Sequence, residues 1–175
     1  MFAMSPLGIL SGVVFSLLLV IAAVTDVRTR RIPNLLVVVL AACGLVYSAF
    51  LPPSFWGAVR GIEGFATAFV CWLPFYALGW LGAGDVKLFA AAGAWLGPMR
   101  ALEGTVIAAL AGAALSLFWM LKARGIRNVV ETLGVAATVP SVLSESPSGR
   151  AGLGSLPYGV AMAAGALCAA WVPGL

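Results

Sequence analysis

Along this chain, long apolar runs alternate with short polar interruptions, and the runs rather than a helical or strand period set the pattern. A bilayer core about 30 Å thick is crossed by about 20 helical residues. By that measure the sequence predicts six spans: about Leu7 to Thr25, Asn34 to Leu51, Ile62 to Leu81, Val86 to Leu96, Leu102 to Leu121, and Leu156 to Val172. The fourth is short. Pro52-Pro53 and Gly97-Pro98 read as helix stops, and DVRTRRIPN as a tight basic turn with Pro33 suited to opening the next helix. Between Lys122 and Ser155 lies the one long connection; its NVVETLGVAATV part suits an interfacial helix, and SVLSESPSGRAGLGS reads as mobile.

Composition strengthens this picture. Of 175 residues, 62% are hydrophobic and only 9% charged, far from the roughly one quarter charged of soluble domains. The mean hydropathy is +1.08. The expected fold is therefore all-α: a polytopic bundle of six transmembrane helices in one domain over residues 1–175, one helix short and preceded by a Gly-rich turn. Runs such as AAAGAW, AALAGAALS and GVAMAAGALCAA let helices approach closely, as packing residues. The first run lacks a preceding basic residue and a small-residue cleavage site, so it is expected to be a retained helix.

Charge sets orientation. Arg28, Arg30, Arg31, Lys87, Lys122, Arg124, Arg127 and Arg150 fall in the odd connections, against Arg60 and Arg100 in the even ones. The positive-inside rule then puts the odd connections in the cytoplasm and both termini outside. The net charge of +4 is accounted for by membrane orientation and contact with lipid, and a nucleic-acid partner is not expected. No internal repeat stands out, which weighs against an inverted-repeat transporter.

With no histidine in the chain, Ser-His, Cys-His and HExxH chemistries are excluded. The cysteines Cys43, Cys71 and Cys168 lie in apolar runs without CxxC spacing and read as packing residues; no metal site and no cofactor are expected. Acid–base chemistry must come from the six acids, lysine or tyrosine. Glu63 and Glu103 open the third and fifth spans, where helix N-termini favour negative charge, and Glu131 and Glu145 lie in the solvated connection. Asp26 follows the first span at the cytoplasmic edge, where a bridge to Arg30 is its ordinary explanation.

Asp85 stands apart. About 11 helical residues from Val86 to the Gly97-Pro98 stop cover only about 17 Å, so Asp85 is drawn to or below the interface. An ionisable group at that depth is a functional candidate, although aspartate is also a good N-cap with Gly82 and Gly84 supplying the turn. Two carboxylates brought together in low dielectric share a proton, as acid–base hydrolysis requires. The glycines leave room for an extended substrate beside the acid. Lys87 reads first as an interface anchor and second as a modulator of the aspartate.

TDVRTRRIPN, with Asp26, and GAGDVKLFAAAGAWLG, with Asp85, resemble the type IV prepilin peptidases, aspartic membrane proteases with a GxGD motif. Leu156-Pro157-Tyr158-Gly159-Val160-Ala161 resembles the signature of that family's last helix. The resemblance covers roughly Ile9 to Ala170 and implies a peptidase of the bacterial inner membrane. It would cut the basic leader of prepilins or pseudopilins at the cytoplasmic face, after a glycine and before the apolar pilin helix. It makes Asp26 and Asp85 the catalytic pair and matches Gly82 and Gly84 to the motif glycines; Lys87, Pro157, Tyr158 and Gly159 are the further motif and substrate-approach positions. The short form, associated with tight-adherence (Flp) pili, is the one resembled. Longer members carry a cytoplasmic insert with paired cysteines and methylate the new pilin amino terminus; this sequence has no such insert, and N-methyltransferase activity is not expected. The alternatives are a small proton- or cation-coupled transporter or channel subunit using the same aspartates, and a non-catalytic secretion subunit whose aspartates cap helices. Neither the identity of the pilin nor the oligomeric state is legible in the residues.

Overall fold

A computed structural model describes residues 6–51, 54–138 and 158–172, with side chains described for all of these except 7, 54 and 119–138. Those residues form six helices and no strand: α1 (Pro6–Thr29), α2 (Asn34–Ala49), α3 (Ser54–Ala77), α4 (Ala83–Leu96), α5 (Pro98–Thr138) and α6 (Tyr158–Trp171). The all-α architecture is as expected. Six spans are not, on length and apolarity alone: among the described residues, Gly8–Thr29 of α1 and Pro98–Phe118 of α5 are long and apolar enough to cross a membrane, and α2 and α6 are shorter apolar helices.

The shortness of the fourth run has a structural explanation. α4 packs against all five other helices, and from Leu88 to Leu96 every residue is buried. A helix apolar on every side belongs in a core. At 14 residues it is about 21 Å long, and the five other helices form a sleeve around it. Their outer faces are apolar too, with Leu10, Leu17 and Ile21 on α1 and Val106 and Leu110 on α5 exposed. An apolar exterior of this extent suits lipid rather than water.

Small residues allow the sleeve to close. α3 crosses α4 backbone to backbone: a Cβ built at Gly93 would lie 2.7 Å from the Ala68 Cβ and closer still to the Gly64 carbonyl oxygen. Neither obstacle is a flexible side-chain end, so the crossing helix must move. Gly93→Ala is expected to destabilise the fold by about 1–3 kcal/mol, the range for overpacking a filled core, read as a lower denaturation midpoint in detergent. On the other side of α4, two buried hydrogen bonds fix α2: Trp95 Nε1–H donates to the Leu40 carbonyl at 2.8 Å and Ser48 Oγ–H to the Ala94 carbonyl at 2.7 Å. Such bonds satisfy polar groups that lipid could not.

Several boundaries differ from those the apolar runs predict. α1 continues through Thr29, so Asp26 lies inside its last turns rather than beyond its end. The stop is Arg30, in the left-handed conformation (φ 52°), whose N–H returns to the Asp26 carbonyl at 2.8 Å. α3 starts at Ser54, so exposed Glu63 is well inside it and does not open it. NVVETLGVAATV is not a separate interfacial helix; its residues through Thr138 continue α5. Glu103 lies one turn into α5 and pairs with Arg100 (3.5 Å), whose guanidinium also donates to the Ala169 and Val172 carbonyls at the end of α6. The Gly97-Pro98 stop holds: Gly97 takes φ 75° after α4, and Pro98 opens α5. SVLSESPSGRAGLGS, Glu145, Arg150, Leu156 and Pro157 lie outside the described residues.

Candidate active site

Asp26 comes from the C-terminal end of α1 and Asp85 from the first turn of α4, and both are placed at the same end of the bundle. The Asp26 carboxylate acts electrostatically on Asp85, so the two share one field. Asp26 is only 7% exposed, and Asp85 is half-buried.

Each carboxylate is held by backbone from a helix start. The Gly159 N–H, in the first turn of α6, donates to Asp26 Oδ2 at 2.9 Å across 133 positions of sequence. Asp85 takes its backbone hydrogen bond from Gly82, and Gly82 is the N-cap residue of α4. The expectation of Asp85 as N-cap is thereby corrected: the acid is the third helical residue and reaches back to the cap, the arrangement of one half of a capping box. A helix of α4's position needs its first N–H groups satisfied, and in an apolar sleeve a carboxylate does this well. Two helix N-termini, each with the positive end of its dipole, thus converge on two acids. The Arg30 charge also acts on Asp26.

The remaining sequence-marked positions divide. Gly159 is buried against Asp26; Gly82 and Gly84 lie beside Asp85, but Gly84 is already helical rather than part of the turn. A Cβ on Gly84 would meet Ile32 of the basic turn at 3.6 Å, an ordinary contact. Internal packing does not demand glycine there. Gly84→Ala is therefore expected to stabilise the fold by about 0.5–1 kcal/mol through reduced unfolded-state entropy, seen as a raised denaturation midpoint; a concurrent loss of activity would mark the space above Gly84 as substrate space. Lys87 is exposed, in keeping with an anchoring role.

Two contacts near the acids carry no signal in the sequence. Tyr158, next to Gly159, has its hydroxyl 2.8 Å from Ser116 Oγ of α5, and Ile32 floors the α4 N-terminus. Only the i, i+3 and i, i+4 relations are visible in a sequence, and these contacts join separate elements. Among the described residues no three His, Cys, Asp or Glu side chains gather as a metal-binding group. The site offers two carboxylates, two fixed backbone donors and access from the bundle end at exposed Gly82 and Ala83, which is what proton transfer to and from a water and a carbonyl requires.

The model of the type IV leader peptidase family matches residues 13–117, a stretch that contains both acids. The leader peptidase HopD of Salmonella typhimurium (strain LT2) is 40% identical over 86 residues, covering 46% of this chain and 54% of that protein. The prepilin leader peptidase/N-methyltransferase of Pectobacterium carotovorum is 32% identical over 117 residues, covering 63% of this chain and 40% of that protein. Its counterpart in Dickeya chrysanthemi is 32% identical over 111 residues, 60% of this chain and 38% of that one. The chain thus spans about half or less of the curated relatives it matches. No solved structure matches it. With the match extending over more than half of the sequence and through both acid-bearing segments, the chain belongs to the type IV leader peptidase family.

Proposed function

We propose that this protein is a membrane-embedded aspartic endopeptidase that removes the basic leader from type IV prepilin-like substrates of the Flp type, with Asp26 and Asp85 as its acid–base pair. The observation that supports the reading is the electrostatic coupling of these two acids, one from α1 and one from α4, with Asp26 held by the first turn of α6. Family membership supports the reaction class. The proposal includes a single six-helix transmembrane domain over residues 1–175 in the bacterial inner membrane, with both termini outside and the acids at the cytoplasmic face. The apolar outer faces of the sleeve support the membrane setting, and the distribution of Lys and Arg supports the orientation. The proposed activity is hydrolysis alone; N-methylation, part of the names of two of the relatives, is not included.

The chemistry follows from sharing one proton between two carboxylates. The ionised acid accepts a proton from water as the water oxygen adds to the scissile carbonyl carbon, and the protonated acid gives its proton to the carbonyl oxygen. A tetrahedral diol results. It collapses as the leaving nitrogen takes the proton held by the first acid and a diol hydroxyl returns its proton to the second, so the pair ends with one proton again. Throughout, the site carries close to one negative charge, and two helix N-termini face it. Coupled in this way, the acids titrate as a unit and exchange roles between steps.

The direct test is co-expression with a Flp-type prepilin and a gel assay for leader loss. Cleavage is the expected result, and an intact prepilin beside well-folded protein sinks the proposal.

A further inference from the structure

The first turn of α6 lies between two other helices. Tyr158 and Gly159 open it, and consecutive helical residues point about 100° apart, so they meet different neighbours. The Gly159 N–H donates to Asp26 Oδ2 of α1 at 2.9 Å, and the Tyr158 hydroxyl lies 2.8 Å from Ser116 Oγ of α5. The acid side of this turn has no slack, since a Cβ on Gly159 would stand 2.7 Å from Asp26 Oδ2. What holds the other side decides where the donor sits.

Packing alone holds it poorly. About two turns further along, α6 touches α5 almost backbone to backbone: a Cβ on Gly165 would lie 2.6 Å from the Ala108 Cβ and 2.7 Å from the Gly104 carbonyl oxygen. Nearer the acids the fit is looser. There a Cβ on Gly112 would find the Tyr158 ring at 3.6 Å and the Ala161 Cβ at 3.8 Å, both ordinary contacts. The half-buried Tyr158 ring fills this gap, and together with Gly112 and Ser116 it borders a cavity of about 150 Å³. One side of the ring therefore has no packed wall.

Proton counting gives the hydroxyl pair a direction. The Ser116 hydroxyl has one hydrogen, and it is donated to the Gly112 carbonyl one turn back at 2.8 Å. Ser116 Oγ thus meets Tyr158 as an acceptor, and the Tyr158 O–H is the donor. The phenol is tied in this way to the α5 backbone through a serine whose own proton is already committed, and bonds linked in series strengthen one another.

We propose that Ser116 is a positioning residue of the peptidase centre: by accepting the Tyr158 hydroxyl it anchors the first turn of α6 to α5 and so keeps the Gly159 N–H on the Asp26 carboxylate. This role rests on the peptidase reading above and adds to it a residue on a third helix.

The test compares Ser116→Ala, Tyr158→Phe and the double variant with wild type in detergent, using a Flp-type prepilin as substrate. Each single variant is expected to lower kcat by about tenfold, short of the roughly 10²-fold cost of a full 1 Å displacement, and to leave KM within about twofold. The double variant should be no slower than either single one, since both remove the same bond. Ser116→Thr, which keeps the hydroxyl, should retain wild-type kcat. In a Gly159→Ala background, Ser116→Ala should cost less than about a further twofold, because the donor it positions is already displaced. Hydrogen exchange without substrate reads the same link directly: in Ser116→Ala the Gly159 amide should exchange about tenfold faster while the Gly165 amide keeps its wild-type rate. Unchanged kcat per folded molecule in Ser116→Ala, additive losses in the double variant, or a Thr variant as slow as the Ala variant each overturn the positioning role and leave the peptidase standing. So does a raised KM with unchanged kcat, which assigns the hydroxyl pair to substrate contact. A wild-type protein that cleaves no prepilin overturns the peptidase reading, and the positioning of a catalytic acid with it, whatever the exchange rates show.

Discussion

Asp26→Asn and Asp85→Asn should each reduce leader cleavage by about 10²–10⁴-fold, the usual worth of a general acid or base, while the protein still folds and inserts. The fold should survive because asparagine keeps an acceptor oxygen in the same place: in the first variant the amide oxygen still meets the Gly159 N–H, and in the second it still meets Gly82. Removing a charge from an apolar sleeve also removes a desolvation cost. What asparagine cannot do is accept or release a proton. In the proposed mechanism the acids work as one unit, so the double variant should be no slower than the slower single variant, a non-additivity characteristic of residues acting in the same step. Cleavage by purified enzyme, normalised to folded protein by its thermal transition, is the measurement. Additive losses, or retained cleavage with a lowered transition, would reduce the aspartates to helix caps.

Much of this site is legible in the residues, and the parts that are not share a physical cause. Long apolar runs with Pro and Gly between them report helices because a helix satisfies its backbone polar groups within one continuous apolar segment, as lipid requires. Gly97-Pro98 is read correctly since both residues act locally, one through φ 75° and the other by opening α5. Boundaries set by the loss of apolar character are read less well. Arg60 and Glu63 end the apolar pattern but not the helix, since both are exposed and α3 simply continues through them. Likewise Lys122 marks the end of an apolar run, and α5 continues to Thr138. Apolarity reports where lipid ends, whereas helices end at caps.

Asp85 shows the same limit at one residue. Aspartate before an apolar run is ordinarily an N-cap, but Gly82 takes that position with extended φ and ψ, and the acid folds back on it from the first turn. The motif identified the acid without its geometry. Nor did it foretell that α4 is the buried axis, a role visible only once the five other helices surround it. The bond between Gly159 and Asp26 is the sharpest case, because a motif glycine in the last helix and an acid in the first become one contact across 133 positions.

That contact leads to the second large expected effect, at Gly159. A Cβ there would stand 2.7 Å from Asp26 Oδ2 and 3.0 Å from its Cβ and Cγ, so alanine and the present Asp26 rotamer exclude each other. Asp26 has little room to retreat, being 7% exposed and set on the face of α1 that carries Phe15, Leu19 and Ala22 into the core. Either the carboxylate turns away, losing the Gly159 N–H, or α6 withdraws and lengthens the same bond. Both outcomes misplace the acid by about 1 Å, and errors of that size cost on the order of 10²-fold in rate. Gly159→Ala should accordingly lower kcat by about that factor while KM changes far less, since the substrate's distant contacts are untouched. Stability should respond in the opposite sense to activity or hardly at all if the carboxylate turns, because alanine favours the helix. A drop in the thermal transition with kcat preserved per folded molecule would show that α6 moves and Asp26 does not, and would remove Gly159 from the positioning of the acid pair.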